Sequence, residues 1–153
     1  MKKVLVAGVL MLAALQVNAD EKKVIRISTD QTDLVLQVGD NGRLYQTYLG
    51  ERLLNDNDIQ NFSWDIHAGS DGSVSQRGWE VYSGSGNEDY FEPAISITHN
   101  DGKTSTYLYY VSSSTSAVEG GTQTTINLRD DQYPVDVTLH YVAYPKENVI
   151  KTW

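Results

Sequence analysis

Apolar and polar residues alternate with a period of two along most of the sequence, in short segments that end at turn residues. In TDLVLQVG (32–39), the residues Leu34, Leu36 and Val38 share one face. The turn GDNG follows and RLYQTYL (43–49) returns, which is the pattern of a β-hairpin. Because a period of two does not suit an amphipathic helix, these segments are predicted to be strands with one buried face.

Two further hairpins are predicted on the same grounds. AISITH (94–99) leads through the turn NDG to TYLYYVS (106–112), and TTINLR (124–129) leads through DDQYP to VDVTLHYVAY (135–144). No segment shows a convincing helical stripe, and ERLLNDNDIQNF (51–62) fits a helical turn or two at most.

Short strands at regular spacing, joined by Gly, Asn and Asp turns, predict an all-β fold. We expect an antiparallel β-sandwich, of the large kind called a supersandwich. The 10 tyrosines fit this fold, because they pack well on pleated surfaces and keep a hydrated hydroxyl. ENVIKTW (147–153) begins like a strand and stops at a bulky aromatic, so we expect the sandwich to be incomplete at the C-terminus.

The first residues have the pattern of a secretory signal peptide. MKK is a positive start, VLVAGVLMLAAL an apolar run, and Val17-Asn18-Ala19 a small-residue cleavage site. We predict a signal peptide over 1–19 and one domain over 20–153. The protein is then exported, either to the periplasm or to the outside of a bacterial cell, and has no membrane anchor after cleavage.

Composition excludes several functions. The formal net charge of −8 disfavours nucleic acid and anionic lipid as partners, because both carry negative charge. The absence of cysteine removes disulfides, thiolate catalysis and Cys-based zinc sites.

Metal and nucleophile motifs fail on spacing. An EF-hand counted from Asp56 would place Asn61 at position six and His67 at position twelve, where Gly and Glu are required. His99 and His140 form no HExxH pair with each other or with His67, and no G-x-S-x-G elbow occurs. We therefore predict no metal, no cofactor and no catalytic residue in this chain.

Aromatic side chains are the remaining candidates for ligand contact. Trp64, Trp79 and Tyr82 would suit a platform for sugar rings, although for each tryptophan on its own packing in the core is the better explanation, because large aromatics are highly buried on average.

The loop GSGNEDYFEPA (84–94) is harder to explain by packing. It combines glycines with Tyr90, Phe91 and three carboxylates, and functional residues are common on such loops. The three carboxylates are Glu88, Asp89 and Glu92.

Three segments together resemble the amino-terminal domain of α-galactosidases of glycoside hydrolase family 36. They are GSGNEDYFEPAISITHNDG, TSTYLYY and YPVDVTLHYVAYPKENVIKTW. The similarity runs over most of residues 24–153. In that family the domain is a β-sandwich that precedes a (β/α)₈ catalytic barrel. The resemblance implies a retaining mechanism with two carboxylates about 5–5.5 Å apart, both supplied by the barrel.

The chain is too short to contain that barrel, which needs about 250 residues. The resemblance therefore implies an inactive domain that supports the barrel. In family members the corresponding loop approaches the sugar pocket, sometimes that of a neighbouring subunit. The resemblance is therefore compatible with a homo-oligomer of the full-length enzyme. Asp89 best matches the family's acidic residue, with Glu88 as a rival, and Tyr90 and Glu92 complete the substrate rim.

Two other functions remain open from the residues alone. A free-standing carbohydrate-binding module would expose Trp64, Trp79 and Tyr90, and it would bind galactosides without a barrel. A purely structural sandwich would bind no ligand. The abrupt ENVIKTW end disfavours both, because an unpaired terminal strand is an aggregation hazard.

Overall fold

The computed structural model describes residues 23–62, 79–86 and 92–153, and within them it contains eight strands. These are β1 (Val24–Ser28), β2 (Thr32–Val38), β3 (Leu44–Glu51), β4 (Trp79–Glu80), β5 (Leu108–Val118), β6 (Gly121–Asp130), β7 (Asp136–Tyr144) and β8 (Val149–Thr152). A 3-10 helix, Asp56–Asn61, follows β3 and agrees with the helical turn predicted there. Among the described residues, no helix is long and apolar enough to cross a membrane.

The strands form two four-stranded sheets. The first has the order β1-β2-β3-β4 and the second the order β5-β6-β7-β8, with every neighbouring pair antiparallel. Each sheet therefore has its strands in sequence order; short turns join most neighbours, whereas residues 52–78 separate β3 from β4.

The apolar faces of the two sheets share one core, so the predicted antiparallel sandwich is confirmed. The alternating residues bury one side of each strand, and fully burying a Leu or Ile side chain contributes about 1.5–3 kcal/mol. The members are Ile25, Ile27, Leu34, Leu36 and Leu44 from the first sheet, and Leu108, Ile126, Leu128, Leu139, Tyr141 and Ala143 from the second sheet or its edge.

The outer face of the first sheet is also covered, by the segment that contains the 3-10 helix. Gln37, on β2, donates from Nε2 to the carbonyl oxygen of Ile59 over 3.0 Å. Asp33, also on β2, is fully buried and accepts from Arg26 Nη2 at 2.6 Å and from the Leu53 N–H at 2.8 Å. Five consecutive residues of β2 are buried as a result.

Two of the three predicted hairpins are confirmed, β2–β3 and β6–β7. The hairpin predicted between 94–99 and 106–112 is wrong. Its NDG turn forms, with the N–H of His99 donating to Lys103 O over 2.8 Å. However, the N–H groups of Ala94 and Ile95 donate to Ser83 O, and β5 pairs with β6 instead.

Candidate functional site

The two ends of the glycine-rich loop are held together at its base. The N–H of Ala94 donates to Ser83 O over 2.9 Å, and the N–H of Ser85 donates to Ile95 O over 3.2 Å. Gly84 and Ile95 form an isolated parallel bridge. We call residues 83–86 and 92–95 the loop base. It brings the entry and exit of the loop side by side at one end of the sandwich.

The loop base rests on the extended segment 105–107, which leads into β5. The N–H of Thr106 donates to Ser85 O over 3.0 Å, and the Tyr107 hydroxyl lies 3.3 Å from Gly86 O. A Cβ added to Gly84 would lie only 2.1 Å from the carbonyl oxygen of Thr106. Only glycine fits such a close backbone approach, which gives this residue of the loop a packing role.

Tyr107 also contacts Arg43, which belongs to the side of the sandwich formed by the first sheet. The Arg43 guanidinium lies over its ring, 5.3 Å from the centroid, and Arg43 Nη1 is 3.5 Å from Glu80 Oε2. Arg43 and Glu80 are both largely buried and belong to the β2–β3 turn and β4. The loop base is thereby connected to both sheets.

Asp130, at the end of β6, holds segment 105–107 by a hydrogen bond to its backbone. Its side chain is buried, and its two oxygens accept the N–H groups of Tyr107 at 2.6 Å and of Gln132 and Tyr133 at 2.8 Å each. Burial by itself raises the pKa of this carboxyl. The three hydrogen bonds and the nearby His99 outweigh burial, so the pKa of Asp130 lies below its ordinary value of 3.8.

His99 lies beside this carboxylate and is also buried. Its Nε2 lies 3.0 Å from Ser105 O and 3.3 Å from Thr106 Oγ1. The imidazole stacks on the ring of Tyr133, with centroids 3.5 Å apart and planes 7° apart. The Tyr133 hydroxyl donates to Asp101 Oδ2 over 3.0 Å, which ties the NDG turn to the β6–β7 turn.

The predicted substrate-rim residues stand in different relations to this base. Glu92 belongs to it and is exposed. Glu88, Asp89 and Tyr90 lie outside the described residues, so their roles stay predictions. The structure thus describes the loop base, where the loop begins and ends.

The predicted aromatic platform is described in part. Tyr82 is half-buried and packs against the core. Trp79 pairs with Gln46 in the β3–β4 ladder, and Trp64 lies outside the described residues. Tyr82 therefore contributes to packing, and the platform role of Tyr82, Trp64 and Trp79 stays a prediction.

The histidines do not converge where the structure describes them. His140 lies on the outer face of β7 and stacks on Trp153 at 5.3 Å, far along the chain from the His99 cluster. No group of three or more His, Asp or Glu side chains in the described part of the chain is placed to hold a metal ion. His67 lies outside these residues.

Sequence reasoning missed Asp130 and Tyr133. DDQYP (130–134) has the pattern of a turn, and an Asp in a turn commonly accepts the backbone N–H groups two and three residues further on. That signal was available for Gln132 and Tyr133. The third donor, Tyr107, is remote in sequence, and no local pattern predicts it.

Fold and site together define a two-sheet β-sandwich whose glycine-rich acidic loop begins and ends at a hydrogen-bonded base. The family described as the glycosyl hydrolase family 36 N-terminal domain matches residues 42–153, and the chain belongs to this family. No curated protein matches the sequence.

Solved structures that are similar to this chain include α-galactosidases. The family 36 α-galactosidase of Geobacillus stearothermophilus in complex with raffinose has a TM-score of 0.65 and 24% identity, over 85% of this chain and 21% of that chain. Its complex with stachyose gives 0.66 and 21%, over 85% and 21%. The α-galactosidase of Lactobacillus brevis gives 0.65 and 19%, over 84% and 20%. The chain therefore spans about a fifth of the length of these enzymes.

Proposed function

We propose that the chain is the amino-terminal, non-catalytic domain of an exported α-galactosidase-like glycoside hydrolase. The sandwich supports the catalytic barrel, and the glycine-rich loop shapes the galactoside pocket. The observation that carries the proposal is the loop base, since its two ends are bound to each other and to segment 105–107. Family membership and the raffinose and stachyose complexes of the structural relatives support the substrate class.

The loop chemistry suits recognition of a neutral sugar. A carboxylate accepts hydrogen bonds from two hydroxyl groups, and an aromatic ring covers the C–H face of the sugar. In the proposed arrangement Asp89 accepts from galactose, with Glu88 as the rival for this role, while Tyr90 and Glu92 line the rim. A hydrogen bond to a charged group contributes about 1.5–3 kcal/mol, so a single carboxylate changes affinity by about 10–100-fold.

Catalysis itself is assigned to the rest of the enzyme. A retaining glycosidase needs a nucleophile and an acid/base whose carboxyl groups are about 5–5.5 Å apart, and both belong to the barrel in this proposal. The domain acts by holding the rim in register with that pair. It therefore changes how the substrate binds more than how fast the bond breaks.

The test is a substitution series in the product of the complete gene, assayed with a chromogenic α-galactoside. We expect Asp89→Ala to lower kcat/KM by about 10-fold or more, mainly through KM. Glu88→Ala decides the register, because only the residue that contacts the sugar should show this loss. Glu119→Ala in the β5–β6 turn, at the opposite end of the second sheet, is the matched control. Wild-type turnover in both loop variants would overturn the rim role.

Binding by the chain alone separates the proposal from a free-standing module. Calorimetric titration of residues 20–153 with galactose and raffinose should give no binding at millimolar concentration. In this proposal the domain supplies only the rim of the pocket, and the barrel supplies the rest. Tight binding by this chain would favour the module.

Export rests on residues 1–19. N-terminal sequencing of the exported product should begin at Asp20, and a product that keeps Met1 would contradict signal cleavage.

A further inference from the structure

Two turns and the extended segment 105–107 meet next to the loop base. The NDG turn contributes His99, segment 105–107 contributes Thr106, and the end of β6 with its following turn contributes Asp130 and Tyr133. We call these four residues the sub-loop cluster. Thr106 is 0% exposed, Asp130 3% and His99 9%. Burying such polar groups costs free energy unless they are hydrogen-bonded, whereas apolar side chains would carry no such cost.

We propose that Asp130 and His99 are positioning residues for the glycine-rich loop. They fix the backbone of segment 105–107, and this backbone fixes the height and direction of the loop base. The meaning of this placement for substrate binding rests on the function proposed above, whereas the placement itself does not.

The hydrogen bonds of Asp130 support this role. Its carboxylate accepts the N–H of Tyr107 at 2.6 Å, one residue after Thr106, whose own N–H donates to Ser85 O at 3.0 Å. Only Tyr107 and Thr106 therefore separate the buried carboxylate of Asp130 from Ser85 in the loop base. An uncharged amide at position 130 would keep the shape, but it would lose the charge that attracts three N–H groups.

His99 acts on the same segment from the side. Its Nε2 reaches Ser105 O at 3.0 Å and Thr106 Oγ1 at 3.3 Å. Its ring is stacked on Tyr133, whose N–H is one of the donors to Asp130. The two positioning residues are thus connected through Tyr133.

A purely stabilising role would distribute the contacts differently. An ion pair flanks the same β6–β7 turn, Arg129 Nε to Asp136 Oδ1 at 2.6 Å, and its side chains are 64% and 62% exposed. That pair joins neighbouring strands and has no described contact with the loop base. The buried contacts of Asp130 instead reach out of the strand ladder to segment 105–107. Asp136 therefore supplies a matched control for Asp130.

Hydrogen exchange of the folded chain tests the placement without any enzyme assay. Asp130→Asn should raise exchange at the amides of Thr106 and Ser85 by about 10-fold, since the Thr106 N–H donates to Ser85 O and the Ser85 N–H donates to Ile95 O within the loop base that segment 105–107 holds. Amides of the β6 core, such as Ile126, should keep their rates, and Asp136→Asn should change none of these sites. Unchanged exchange at Thr106 and Ser85, or an equal rise at all sites, would overturn the proposal.

A second pair of variants covers the case in which Asp130→Asn does not fold. Thr106→Ser keeps the hydroxyl beside His99 and should behave like the wild type. Thr106→Val removes the hydroxyl at nearly constant volume and should raise exchange at Ser85. Equal exchange in the two variants would contradict the role of His99.

The enzyme assay then separates this inference from the proposed function. In the complete gene product, Asp130→Asn should raise KM for an α-galactoside about 5-fold or more and leave kcat within about 2-fold, because the catalytic carboxylates lie elsewhere. Faster exchange at the loop base with unchanged KM would support the positioning role and overturn the rim role of the loop. Unchanged exchange with unchanged KM would overturn the positioning role.

Discussion

Gly84 lies against the backbone of Thr106 so closely that a Cβ on Gly84 would stand 2.1 Å from the carbonyl oxygen of Thr106. The neighbouring Thr106 N–H donates to Ser85 O over 3.0 Å. Two backbone segments therefore touch without an intervening side chain. This contact is the point at which the glycine-rich loop is seated on the sandwich.

Gly84→Ala should destabilise the chain by about 2–3 kcal/mol, because the carbonyl that blocks the methyl group is backbone and must shift together with segment 105–107. Gly102→Ala is the matched control. Gly102 has φ +82 but nothing within 4 Å, so its substitution should cost about 1 kcal/mol through backbone strain alone. Urea unfolding of both variants measures the difference, and equal losses would show that the close contact is relaxed at little cost.

Arg26→Met should lower the free energy of unfolding by about 3–5 kcal/mol. Asp33 is fully buried, and Arg26 Nη2 is 2.6 Å from its carboxylate, so the substitution removes the charged partner of a buried carboxylate that otherwise accepts the Leu53 N–H at 2.8 Å. Burial raises the pKa of Asp33 and hydrogen bonding, chiefly from Arg26, outweighs this effect, so its pKa lies below 3.8.

The double variant Arg26→Met, Asp33→Leu checks this explanation by urea unfolding. It should recover most of the lost stability, because no buried charge remains. Arg129→Gln removes the exposed partner of Asp136 and should leave the urea midpoint nearly unchanged, because water screens an exposed ion pair. A double variant as unstable as Arg26→Met would refute the account based on an uncompensated charge.

Leu36→Ala should cost about 3–4 kcal/mol, since Leu36 is 0% exposed in the core between the sheets. Leu54→Ala removes the same atoms from a side chain that is 100% exposed, and its effect should stay within about 0.5 kcal/mol. Thermal unfolding of the two variants compares them directly. Similar losses would mean that Leu54 is covered in solution.

Stability should fall as the pH drops below 3.8. The pKa values of Asp33 and Asp130 are both lower in the folded chain than their ordinary value of 3.8. A carboxyl of this kind contributes stability above its unfolded pKa and loses it as the pH falls through its folded pKa. We therefore expect a constant free energy of unfolding from about pH 6 to pH 5 and a steady loss toward pH 2. Asp130→Asn should reduce the slope, and an unchanged slope would contradict its low pKa.

The sequence predicted strands well where one face of a hairpin is buried and the partner is the next segment. β2–β3 and β6–β7 were found because their alternation and their turns agree. β1 was not predicted, although VIRIS alternates, because no turn pattern paired it. The strand predicted over 94–99 is wrong because the same alternation is satisfied by half-burying Ile95 against the core without a ladder.

The sequence by itself determined the fold class, the family and the loop that carries aromatic and acidic residues, since these depend on local patterns of a few residues. The tertiary structure alone decided what the loop rests on. Asp130 reaches Tyr107 across 23 positions, and Arg26 reaches Leu53 across 27. Burial of a charge is settled by such distant partners, because only the folded chain brings enough donors together to replace water around a carboxylate.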